Sequence, residues 1–104
     1  GKVGMIIKLE LKDRIILLQN MPEQKDVDTV DTIMLLSISD AEKQEFGYKV
    51  EDNRIRWDDT VNTEREFMVS IDQLCIINSI VNQMNKDGLI DMSNYSTYKK
   101  IKSF

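Results

Sequence analysis

Four carboxylates, Asp58, Asp59, Glu64 and Glu66, crowd the middle of the chain in the stretch WDDTVNTERE. Side chains of this type, held together, bind hard cations such as Mg2+ or Ca2+, or act as paired acids and bases. Arg54, Arg56 and Arg65 stand among them. Cross-strand charge pairs on a solvated sheet face account for the same pattern without a metal. A second acidic run, DVDTVD from Asp26 to Asp31, looks like the start of a calcium loop. Such a loop needs an oxygen ligand at its fifth position, glycine at its sixth and glutamate at its twelfth. Counted from Asp26 these positions hold Val30, Asp31 and Ser37. The simpler account is acids in the first turn of a helix, where the dipole favours them. No metal site is assigned.

The nucleophile inventory is short. Cys75 is the only cysteine and the chain has no histidine. Histidine-based triads and dyads are therefore excluded, as are metal sites that use histidine. Cys75 lies in an apolar helical run with no base to generate a thiolate, and reads as a small buried hydrophobe. The glycines at 1, 4, 47 and 88 do not cluster into a phosphate loop. No catalytic residue and no cofactor is assigned, and the chain is expected not to be an enzyme.

Two groups bear on binding. In VEDNRIRWDD, from Val50 to Asp59, Trp57 is the only tryptophan and is flanked by Arg56, Asp58 and Asp59. Trp and Arg are enriched at interface hot spots, so these four are the candidate partner-binding residues. The competing account makes Trp57 a core or core-edge residue. Lys99, Lys100 and Lys102 are the only clustered cations. They are the candidate contacts of an alternative nucleic-acid-binding role, which needs grouped Lys and Arg. The charge balance disfavours that role: the net charge is −4. Residues 39–69 alone hold nine acidic and five basic side chains.

The elements that must position these residues follow from periodicity. Met5 to Lys12 alternates apolar and charged residues, the pattern of a half-buried strand. Asp13 is a candidate cap for a short helix from Arg14 to Asn20, stopped by Pro22. Val27, Val30, Ile33 or Met34, and Leu36 or Ser37 form a helical stripe from about Val27 to Leu36. SDAE, from Ser39 to Glu42, is a capping-box pattern opening a helix over Asp40 to Phe46, closed by Gly47. Tyr48-Val50 and Ile55-Trp57 alternate around an Asp52-Asn53 turn, which predicts a hairpin. REFMVS is a possible further strand. SIDQ, from Ser70 to Gln73, opens the longest helix, about Ile71 to Asn85, and SNYSTYKKI adds a short terminal helix with Tyr95 and Tyr98 on one face.

The expected fold is α+β: a small antiparallel sheet, made of the N-terminal strand and the tryptophan hairpin, packed against helices that include one long helix in the C-terminal half. With 104 residues the chain is read as a single domain, 1–104. Gly1 to Gly4 are read as leftover residues ahead of a natural start at Met5. The lone cysteine favours a reducing compartment, and the longest apolar run near the start, Met5 to Ile7, is too short for a signal peptide or a membrane span.

The segments LKDRIILLQNMP, SDAEKQEF followed by RIRWDD, and SIDQLCIINSIVNQMNKDGLIDMSNYSTYKKI carry a resemblance. The chain resembles a group of small proteins of unknown function encoded mostly by phages and prophages. It departs from their pattern in EQKDVDTVD, which lacks a glycine after the proline, and in a less charged long helix. The resemblance implies a mobile-element origin and a cytoplasmic life in a bacterial host; it implies no reaction. The leading expectation is a small non-catalytic protein-interaction module, a phage-type accessory or assembly factor whose partner is another protein or a second copy of itself. The alternative is a winged-helix-like nucleic-acid-binding regulator, which rests on the order of elements.

Overall fold

The computed structural model describes residues 4–23 and 25–104. The reading of the first residues as leftover lies outside the described residues for Gly1 to Val3. Among the described residues, nine elements follow one another: β1 (Gly4–Leu9), α1 (Leu11–Gln19), α2 (Val27–Leu36), α3 (Asp40–Phe46), β2 (Lys49–Glu51), β3 (Arg54–Arg56), β4 (Arg65–Ser70), α4 (Ile71–Lys86) and α5 (Tyr95–Lys102). The chain is α+β, as expected, with the long helix α4 in its second half.

Local chemistry explains most of the boundaries. Ser39 accepts from the Glu42 amide at 3.1 Å while Glu42 accepts from the Ser39 amide at 3.1 Å, and α3 starts there. Ser70 and Gln73 do the same for α4. Gly47 takes φ +65°, the left-handed conformation that ends a helix at little cost. Asp52 and Asn53 both have positive φ, as a two-residue hairpin turn requires. Helix α1 departs from expectation. It begins at Leu11, and Asp13 lies inside its first turn, accepting from the Glu10 amide at 2.9 Å. Strand β1 therefore ends at Leu9. Leu11 is drawn inward instead, fully buried and donating its amide to Thr63 Oγ1 at 3.1 Å.

The sheet is built differently from the expected one. β1 pairs antiparallel with β4, Ile7 opposite Phe67 and Ile6 opposite Met68, whereas the β2–β3 hairpin forms a second, separate two-stranded sheet. The inner face of β1–β4 presents Ile7, Leu9, Phe67 and Val69 to Ile77, Ile80, Val81 and Met84 of α4. Leu17, Leu36 and Ile101 close this main core from α1, α2 and α5. A smaller core of Leu11, Ile15 and Phe46 lies under the hairpin, with Tyr48, Ile55, Trp57 and Val61 packed on it. On the outer face, a Cβ at Gly4 would come 3.0 Å from the Val69 carbonyl and 3.2 Å from Met68 Sδ. Gly4 is thus fitted into the sheet.

Two adjacent buried charges cross-link these parts. Arg14, 1% exposed, donates through Nε to the Leu36 carbonyl at 3.0 Å and through Nη2 to the Ser37 carbonyl at 2.7 Å. The same guanidinium grips Glu42 with two hydrogen bonds of 2.7 and 3.0 Å, and stacks 5.1 Å from the centre of the Phe67 ring. It satisfies carbonyls left open where α2 ends and joins them to the cap of α3. Asp13, 2% exposed, accepts from Thr97 Oγ1 and from Lys100 Nζ, each at 2.5 Å, and so docks α5 on α1. No buried side-chain N or O atom among the described residues lacks a partner.

Replacing Arg14 by alanine leaves a carboxylate and two carbonyls unpaired; urea melts are expected to show a loss of about 3–5 kcal/mol. The Arg14 hydrogen bonds hold the Glu42 carboxyl down at about 2, against an ordinary 4.5. The unfolded chain binds the extra proton in that interval. The contribution of Glu42 is therefore complete above pH 4.5 and is lost as pH falls towards about 2. Glu42→Gln should flatten the slope of stability against pH in this window, as read by melting at successive pH values.

Candidate interaction surface

Trp57 follows β3 and is half-buried, its ring lying against the smaller core. This is the core-edge position. The backbone beside it is fixed to α3, because the Asp58 amide donates to the Phe46 carbonyl at 2.8 Å. The Asp58 carboxylate accepts from the Thr60 hydroxyl at 2.6 Å and the Thr60 amide at 2.9 Å, which pins the following turn. These two bonds, the hydroxyl first, hold its carboxyl below the usual range. Three shallow depressions meet at Trp57. One of about 290 Å³ is shared with Ile55, Arg56 and Asp59. A second, of about 300 Å³, includes Asp59 and Thr63. The third, of about 530 Å³, includes Lys49, Glu51, Arg56 and Asp58. Of the four candidate residues, Arg56 and Asp59 are fully on the surface, Asp58 shapes a turn, and Trp57 forms the common wall.

The carboxylates do not converge. Among the described residues no three acidic or cysteine side chains could share a metal ion. The expected charge pairing in this region is also corrected. Arg65 pairs with Glu45 and lies 4.8 Å over the Phe46 ring. Among the described residues, Arg54 and Arg56 make no ion pair. In the hairpin register Lys49 lies opposite Arg56 and Glu51 opposite Arg54, so one face carries three cations and a single acid.

The C-terminal lysines are split by the helix. Lys100 is held by Asp13 and lies 3.8 Å from Glu10. Lys102 donates to Asn82 Oδ1 at 2.8 Å. Lys99 alone is exposed without such a bond. Cys75 corrects its reading as a buried hydrophobe: it lies exposed on α4. The apolar stripe of α4 is real, but Ile77, Ile80, Val81 and Met84 carry it.

The largest departure is α2, whose expected stripe is only partly buried: Leu36 faces the core and Ile33 is half-buried, but Val27, Val30 and Met34 face solvent. Thr29, Thr32 and Leu36 are buried, while Val27 is 75% exposed, Val30 42% and Met34 70%. Burial of the threonines is possible because each hydroxyl finds a local acceptor: Asp26 Oδ1 for Thr29 and the Asp28 carbonyl for Thr32, both at 2.7 Å. The signal in the sequence was the 3-4 spacing of Thr29, Thr32 and Leu36, which parallels that of the apolar residues. Asp28 and Asp31 lie beside the exposed stripe, themselves exposed and without an ion pair among the described residues. A second apolar patch covers the outer sheet face, where Ile6 and Met68 are directly opposed.

If Trp57 is a wall of the smaller core, Trp57→Ala should cost about 2–3 kcal/mol in urea melts, less than the roughly 3–5 of a fully buried aromatic. An unchanged midpoint would contradict that placement. No family model, curated protein or solved structure matches the chain.

Proposed function

We propose that the chain is a small non-catalytic protein-interaction module. The observation that carries this reading is α2. It turns threonines to the core and leaves Val27, Val30 and Met34 in water. A contiguous apolar face of this kind is unfavourable on an isolated domain and marks a contact surface. The chemistry available supports the same reading, since the chain has no histidine and a single cysteine. Among the described residues, no helix is long and apolar enough to cross a membrane. The resemblance to phage and prophage proteins supports a role as an accessory or assembly factor in the cytoplasm of a bacterial host.

A second reading, a nucleic-acid-binding regulator, is favoured by one observation: Lys49, Arg54 and Arg56 stand together on one hairpin face, with Glu51 as the single acid among them and no ion pair among the described residues. The acidic α3 and the engagement of Lys100 by Asp13 weigh against it.

The test of the first reading is the double variant Val27→Asn/Met34→Gln. Both sites are exposed, so stability should change by no more than about 0.5 kcal/mol. Light scattering and co-purification should show the wild type retaining a partner, itself or another protein, and the variant losing it. A monomeric wild type that retains nothing counts against the module.

A further inference from the structure

The chain itself carries a surface that matches the exposed face of α2. We propose that this face binds the β2–β3 hairpin of a second copy of the chain; the proposal rests on the interaction-module reading above.

On α2, Asp28 and Asp31 border the apolar stripe and are exposed. On the hairpin, Lys49, Arg54 and Arg56 share one face, and Lys49 lies directly opposite Arg56. Like charges opposed across a strand pair repel, and an anion placed over them removes that penalty. Both sets of charges remain without ion pairs among the described residues of a single chain. The spacings agree. Asp28 and Asp31 are separated by about 4.5 Å along the helix axis. Arg54 and Arg56 occupy alternate positions on a strand, about 6.6 Å apart. Two arginines can close that difference with their long side chains and form forked bonds to the two carboxylates. Their methylene stems then cover the valines and methionine that α2 exposes.

This match is more specific than a general attraction for anions. Glu51 stands on the cationic face, opposite Arg54, Asp52 lies in the turn beside it, and the net charge is −4. A continuous nucleic-acid backbone would meet that repulsion along its length. A helix presents only two carboxylates among apolar side chains and meets less of it. The two patches are different surfaces, so the contact is heterologous; copies join either as a reciprocal pair or in a repeating series.

The test uses the full chain and two charge-reversal variants, Arg54→Glu/Arg56→Glu and Asp28→Lys/Asp31→Lys, with circular dichroism to check that each folds. Wild type should exceed the monomer mass by light scattering, with association weakened roughly tenfold as salt is raised through the physiological range. Each variant alone should be monomeric. Their equimolar mixture should associate again, because the intact α2 of the first meets the intact hairpin of the second and the two reversed surfaces are also complementary. A wild type that stays monomeric at about 1 mM, where even a weak contact is half formed, overturns the proposal. So does a mixture of folded variants that fails to associate, or association that neither reversal alters. A gel shift of double-stranded DNA that Arg54→Glu/Arg56→Glu abolishes assigns the cations to nucleic acid, and also overturns it. If wild type is monomeric yet Val27→Asn/Met34→Gln loses a co-purifying protein, the second copy is ruled out while the interaction-module reading stands.

Discussion

Arg14 is the constraint around which the rest of the molecule is arranged. Its guanidinium reaches the end of α2, the start of α3 and the ring of Phe67 on β4, so a single side chain ties together four elements. A buried cation is tolerable only when nearly all its donors are satisfied and a counter-charge is held in place. Both conditions are met by α3, whose capping residue Glu42 serves the Ser39 amide and the arginine together. The cap therefore does more than start a helix. It fixes where the α2–α3 junction lies, and with it the angle at which α2 leaves the core. Asp13, one residue earlier, does the corresponding task for the C-terminal helix α5 through Thr97 and Lys100. Neighbouring residues of opposite charge thus point to different partners instead of to each other.

Much of the local structure was legible. The two capping boxes, the left-handed Gly47 and the Asp52-Asn53 turn all depend on interactions within a few residues, and α2 and α3 begin and end where their sequences indicate. What escaped was non-local. Periodicity predicts a strand over Met5 to Lys12, of which Gly4 to Leu9 forms, but not that β4 is its partner rather than the nearer hairpin. It shows that α2 is amphipathic only under the assumption that apolar residues face inward. Thr29 and Thr32 violate that assumption because their hydroxyls are satisfied within the helix. Cys75 failed for the same reason, since a wide apolar stripe hides which positions lie at its margin. The pair Asp13-Arg14 looked like an ordinary helix start. Burial gives these residues their meaning, and burial is set by elements far along the chain.

The candidate site was partly visible. Of Trp57 and its charged neighbours only Arg56 is on a hairpin strand; Trp57, expected on the same strand, follows it and forms a wall of the smaller core, and Asp58 and Asp59 lie beyond it. The cations are more informative than the tryptophan. Arg54 and Arg56 alternate with the residues that anchor the hairpin, so the pleat that buries Ile55 necessarily turns both outward. Arg65, placed beyond the loop, is instead drawn to Glu45 and the Phe46 ring. Three arginines in one acidic stretch therefore have two different fates, decided by strand membership.

The pairing of β1 with β4 also bears on how the molecule comes together. Gly4 meets Ser70 and Leu9 meets Arg65, so more than half the chain lies between the strands. Closing a loop of that size carries an entropic cost that local helices and the hairpin do not face. On the ribosome, β1 emerges well before β4 and must wait for the intervening elements before its partner exists. Until then its apolar face has no sheet to join. The helices α1 to α3 and the hairpin can form in the interval, and Ser70 starts α4 as soon as β4 is complete. Strand β4 and the helix that covers it are thus made together; the β1–β4 sheet and most of the main core form with them, and Ile101 of α5 closes the core afterwards.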